Sequence, residues 1–172
     1  MKKKKLESIE FATVRLAHKT VVLMKDDAEP TEEMSGARAQ NADTMYWARC
    51  MVDGQPEVVT REAEYIRAFV GEEATSLDPE QTWNLATVIC YLLKLGHAVG
   101  GPFGPPERIA DAFRVSIESV TPKLVEGWLI FFAHVLSPDD LFGVLHEYEY
   151  DLRTGSVRHL KCIQPYPIWE VD

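Results

Sequence analysis

Glu147, Glu149 and Asp151 are the first residues in this chain whose types and spacing could do chemistry. Side chains alternate faces along an extended strand, so these three carboxylates would share one face. Stacked oxygens of that kind can hold Mg²⁺ or Mn²⁺. His146 adjoins them but would point to the other face. The outward polar face of a half-buried strand gives the same alternation, so no metal ligand is assigned. His134, Cys90 and Glu126 form a second set, able to act as base, nucleophile and orienting acid only if the fold brings them together. His159 stands on the last predicted strand. No nucleophile motif surrounds any of these residues, and no catalytic residue or cofactor is assigned. Gly96, Gly100, Gly101 and Gly104 suggest a phosphate loop. No Gly-Lys-Ser/Thr follows them, however, and a helix rather than a strand precedes them. Gly100 to Pro106 reads instead as a chain reversal.

Ile109 to Val120 resembles a helix-turn-helix. Ala110 would allow close crossing of two helices, Val115 would fill the turn, Ser116 would cap the second helix and Val120 would face the core. The alternative reading that follows is a DNA-binding regulator using residues 107–127. Arg114 stands where the turn favours Gly, Pro122 would interrupt a recognition helix, and Glu118 would approach phosphates. A pair of core helices explains the same pattern. A further alternative is a metal-dependent enzyme using the 146–151 strand.

These groups must be positioned by a chain of 172 residues, with 18 Lys+Arg against 27 Asp+Glu and a net charge of -9. Hydrophobic residues make up 46%, enough for one domain with a sizeable core. No apolar run approaches the roughly 20 residues of a membrane helix. Lys2 to Lys5 precede no apolar stretch of the secretory kind and read as a solvated, frayed terminus. Cys50, Cys90 and Cys162 are odd in number and far apart, which suits reduced thiols in a cytosol.

The expected fold class is α+β, a single domain over 1–172, with N- and C-terminal strands sharing an antiparallel sheet against about four central helices. Residues 8–25 read as a hairpin turning at Ala17 to Lys19. Residues 26–43 hold six acids, one Arg and no aromatic residue, a net of -5; such a segment reads as an acidic mobile loop. Thr44 to Val52 is a strand carrying Tyr46 and Trp47, followed by the hairpin signal Asp53-Gly54 and an edge strand after Pro56. A helical core is expected over 60–137. Its first helix runs from Thr60 to Val70. The second is capped by Asp78 with Pro79 and Gln81. A short helix follows from Pro106, and a nearly all-apolar central helix from Thr121-Pro122 to Leu136. A C-terminal hairpin over 143–163 turns at Arg153 to Ser156.

The function these features imply is binding of another protein, one with a basic surface, by a non-enzymatic cytoplasmic protein. An acidic body repels phosphate and anionic lipid, so neither nucleic acid nor membrane is the expected partner. Size, acidity and the lack of a catalytic motif are similar to those of inhibitor and immunity proteins. The expected partner-binding residues are Asp26, Asp27, Glu29, Glu32 and Glu33 of the acidic loop, with Tyr46, Trp47, Tyr166 and Trp169 as aromatic anchors.

Overall fold

The computed structural model describes residues 10–24, 47–71, 77–100, 105–137 and 140–165. Four strands form the first sheet in chain order: β1 (Glu10–Arg15), β2 (Thr20–Met24), β3 (Trp47–Val52) and β4 (Gln55–Thr60), all antiparallel. Asp53 and Gly54 join β3 to β4 with φ of 47° and 81°. These are the two left-handed positions of a primed hairpin turn, whose twist matches that of the strands. Asp53 Oδ1 accepts from the Thr20 amide at 2.9 Å, which ties the turn to β2. Pro56 lies in β4, an edge strand among the described residues, where its missing N–H interrupts no ladder.

One face of this sheet is apolar and closed: Val14, Leu16, Val21, Leu23, Cys50 and Val59 are buried. It shares a core with α1 (Ala63–Gly71) and α2 (Pro79–Leu93). Helix α1 starts after Arg61 and Glu62, because Thr60 is held in β4 opposite Trp47. Helix α2 starts as its sequence predicts. Asp78 Oδ1 accepts from the Gln81 amide at 2.8 Å, and Gln81 Oε1 accepts from the Asp78 amide at 3.1 Å. Pro79 fills the first turn. Leu85, Val88, Ile89 and Leu92 are fully buried along its apolar side. At its C-terminus the Arg61 guanidinium donates to the carbonyls of Tyr91 and Leu92 at 2.6 and 2.7 Å. The Tyr91 carbonyl also accepts from the Lys94 amide at 3.3 Å; a cation at this end fills the remaining acceptor capacity and opposes the helix dipole.

The second sheet contains β5 (His97–Ala98), β6 (Lys123–Val125), β7 (Trp128–Ser137), β8 (Asp140–Asp151) and β9 (Val157–Ile163). Its order is β5-β7-β8-β9, with β6 alongside β7. Two short helices, α3 (Pro106–Phe113) and α4 (Ile117–Val120), precede β6. The α+β class expected from the sequence holds, but the terminal strands form two sheets rather than sharing one. The central helix expected over 121–136 is also corrected. That segment is the β6–β7 hairpin, turning at Glu126 and Gly127 with φ of 49° and 84°.

The reason lies in the packing. β7 is covered on both faces: Leu129, Phe131 and Ala133 enter the core shared with α2, while Phe132 enters a second cluster with Val99, Ile109, Phe113, Val120 and Leu145. A strand covered on both sides loses its polar alternation and reads as a continuous apolar run.

Candidate functional site

The face of the second sheet that meets α2 carries two cross-strand rows. Ala98, Ala133, His146 and Cys162 are register partners across β5, β7, β8 and β9. Phe131, Tyr148 and His159 form the neighbouring row. Small side chains at Ala98 and Ala133 leave room beneath the C-terminal end of α2. There Thr87, Cys90, Tyr91, Lys94, Gly96, His97 and Ala98 line an open cleft of about 210 Å³. Adjacent strands are about 4.8 Å apart, so His146 stands about 10 Å from Ala98.

At the β8–β9 end, three rings gather. His146 Nδ1 and His159 Nε2 are 3.0 Å apart. The Tyr148 ring lies 5.3 Å from that of His159 and 6.2 Å from that of His146. On its other side Tyr148 stacks on Phe131 at 5.9 Å. Partial burial lowers the His146 pKa, and the facing His159 lowers it further. The Tyr148 hydroxyl moves the other way, raised by burial and by Cys90. Cys90 is itself enclosed and its thiol is pushed far up, so it is neither a nucleophile nor a ligand at neutral pH. His97, opposite His134 across β5 and β7, is also lowered, first by burial and then by His134.

The other face of β8 and β9 pairs charges. Arg158 contacts the Glu149 carboxylate, and Glu147 stands opposite Lys161. Asp151 lies just beneath the surface, and Oδ1 accepts from the Arg153 amide at 2.9 Å. That backbone hydrogen bond is the main cause holding its carboxyl below the usual range. Thr154 and Arg153 side chains act in the same direction, and burial opposes them. Glu149 thus serves a local ion pair and Asp151 a turn, while Glu147 stands in register opposite Lys161. Among the described residues no three of His, Cys, Asp and Glu converge on one point.

A folded-state carboxyl more acidic than in the unfolded chain stabilises fully above the unfolded value of about 3.9. That stability is lost as pH falls through the lowered folded value. Asp151→Asn should therefore flatten the acid limb of the stability curve below about pH 4.5. Urea melts at stepped pH check this, and parallel curves for the two proteins would refute it.

Other sequence-predicted sites are dispersed. Glu126 stands in the turn before β7 and His134 lies eight residues further on, about 26 Å of extended chain away, so the two do not converge with Cys90 on one point. The helix-turn-helix pattern is locally sound. Ser116 Oγ accepts from the Ser119 amide, and Ala110, Phe113 and Val120 are buried. But α4 is a single turn, and β6 begins at Lys123, so no recognition helix follows. Gly96 and Gly100 flank β5 with left-handed φ and reverse the chain. Asp26, Asp27, Glu29, Glu32, Glu33, Tyr46, Tyr166 and Trp169 lie outside the described residues, and Trp47 is the first residue of β3.

The facing histidines are the feature missed from the sequence. Counting back from the Arg153 to Ser156 turn sets His159 opposite Tyr148, two residues from His146 on the same face. That count was the available signal. Comparison with known proteins gives no match among family models, curated proteins or solved structures.

Proposed function

We propose that this chain acts by binding another protein whose surface is basic, as inhibitor and immunity proteins do, and that it works by covering that surface. The observation that carries the reading is a short exposed apolar segment on an acidic body. Ile117, Leu124 and Val125 are 45%, 39% and 47% exposed within nine residues, with exposed Glu118 and Glu126 beside them. Single exposed apolar residues are ordinary, whereas a group with a charged rim is the composition of a protein interface. β6, which carries two of the three, pairs with β7 on one side only among the described residues.

The net charge of -9 would steer a basic partner into place. The acidic residues of 26–33 and the aromatic residues Tyr46, Trp47, Tyr166 and Trp169 would widen the contact. Three free cysteines, two of them buried, support a reducing compartment such as the cytoplasm.

Affinity capture with the full-length chain tests this. The expected result is a basic protein retained at low salt and released as salt rises. Leu124→Asp with Val125→Asp should lose it, while the melting temperature holds. Retention of the same protein by this variant, or no specific retention at all, counts against the reading.

A further inference from the structure

His146 and His159 share one face beside a defect in the β8–β9 ladder. From Leu145 to Glu147 the partners are Ile163, Cys162 and Lys161. From Tyr148 to Tyr150 they are His159, Arg158 and Val157. Leu160 is the extra residue of a β-bulge between the two registers. Neither register alone would make the site. The first, continued, would set His159 opposite Glu149 and turn its ring to the other face. The second, continued, would set the Lys161 ammonium opposite His146. The turn-side register keeps both imidazoles on one face, and the bulge puts Cys162 rather than Lys161 opposite His146 and sends Lys161 to the Glu147 side. Bulges re-aim side chains in this way near functional sites.

The ring nitrogens carry the rest of the argument. Metal-bound imidazole nitrogens sit roughly 2.0–2.1 Å from the ion. Two of them at angles between about 90° and 109° are therefore about 2.9–3.4 Å apart. His146 Nδ1 and His159 Nε2 are hydrogen-bonded to each other at 3.0 Å, a separation that also falls within that range.

The geometry points to a two-histidine chelate at the β8–β9 bulge for a borderline divalent ion of the Zn²⁺, Ni²⁺ or Cu²⁺ class, with water completing the coordination. Binding needs both facing nitrogens unprotonated, so each ring carries its proton on the far nitrogen, His146 Nε2 and His159 Nδ1. For the neutral pair this is a tautomer change with no net proton released. Below the histidine range the ion must displace protons, and affinity falls. Hard ions such as Mg²⁺ prefer oxygen and are excluded by this donor set. The inference is independent of the protein-binding reading.

Calorimetric titration with Zn²⁺ tests it, using the EDTA-treated full-length chain with Cys162→Ser so that the exposed thiol contributes nothing. One ion per chain should bind saturably. His146→Gln and His159→Gln should each weaken binding at least about tenfold, since loss of even a ligand's outer partner costs about 10–100-fold. His18→Gln should leave it unchanged. Without substituting either histidine, Cu²⁺ should broaden amide signals around the β8–β9 bulge selectively. Equal affinity in His159→Gln, loss confined to His97→Gln, or broadening elsewhere overturns the assignment.

Discussion

Phe131→Ala is expected to destabilise the fold by about 3–5 kcal/mol, a large share of the roughly 5–15 kcal/mol that holds a typical domain together. Phe131 is 0% exposed in the middle of β7 and belongs to the core shared with α2 and the first sheet. It stacks on Tyr148, so its removal opens a cavity and leaves that ring without support. Truncating Trp128, a larger side chain on the same strand, should cost less, because it is only half-buried and lies on the other face. Read as a helix, the segment makes Trp128 a core anchor; the strand gives that place to Phe131. Urea denaturation of the two variants decides between them. The reverse order of costs would mean that β7 is displaced by one residue, since a one-residue slip exchanges its faces.

The elements legible in the sequence are those with local causes. Asp78, Pro79 and Gln81 determine the start of α2 by hydrogen bonds within four residues. Asp53-Gly54 determines a two-residue turn by its backbone preference, and the β3–β4 pairing follows from it. The β6–β7 hairpin was missed because its signals are not local. Glu126 adopts φ of 49° although it is not one of the usual left-handed residues. Its partner Gly127 stands directly before Trp128, where a helix reading also tolerates it. Burial of β7 on both sides then removes the alternation that marks a strand. The division into two sheets depends on contacts across the whole chain, which no window of residues contains.

The candidate site was half legible for the same reason. Alternation along β8 correctly separates His146 and Tyr148 from Glu147 and Glu149, and the turn places His159 near them. The bulge at Leu160 is not signalled by a Gly or a charge. It is required by two anchors at once: the turn at 152–156 holds Tyr150 opposite Val157, and the second core cluster holds Ile163 beside Leu145. The strand between these anchors is one residue too long for a straight ladder. Only the tertiary packing reveals that surplus.

Gly155→Ala should cost roughly 2–5 kcal/mol, and it tests one of those anchors. Two effects add. Gly155 has φ of +77°, and a left-handed backbone costs a residue with a Cβ about 1–2 kcal/mol. In addition, an added Cβ would stand 2.7 Å from the Ala63 carbonyl oxygen and 3.1 Å from Arg67 Cβ. The first of these is backbone at the start of α1 and cannot swing aside. Relief requires the β8–β9 turn to move away from α1, at about 1–3 kcal/mol for such overpacking.

Gly54→Ala provides the control. Its φ is +81°, nearly the same, but nothing lies within 4 Å of the added Cβ. It should therefore lose only the conformational part. The difference between the two variants in urea measures the contact between the turn and α1. Equal losses would mean that the turn and the helix do not touch. The turn-side register of β9, and with it the face that His159 shares with His146, would then be held by the β8–β9 turn without help from α1.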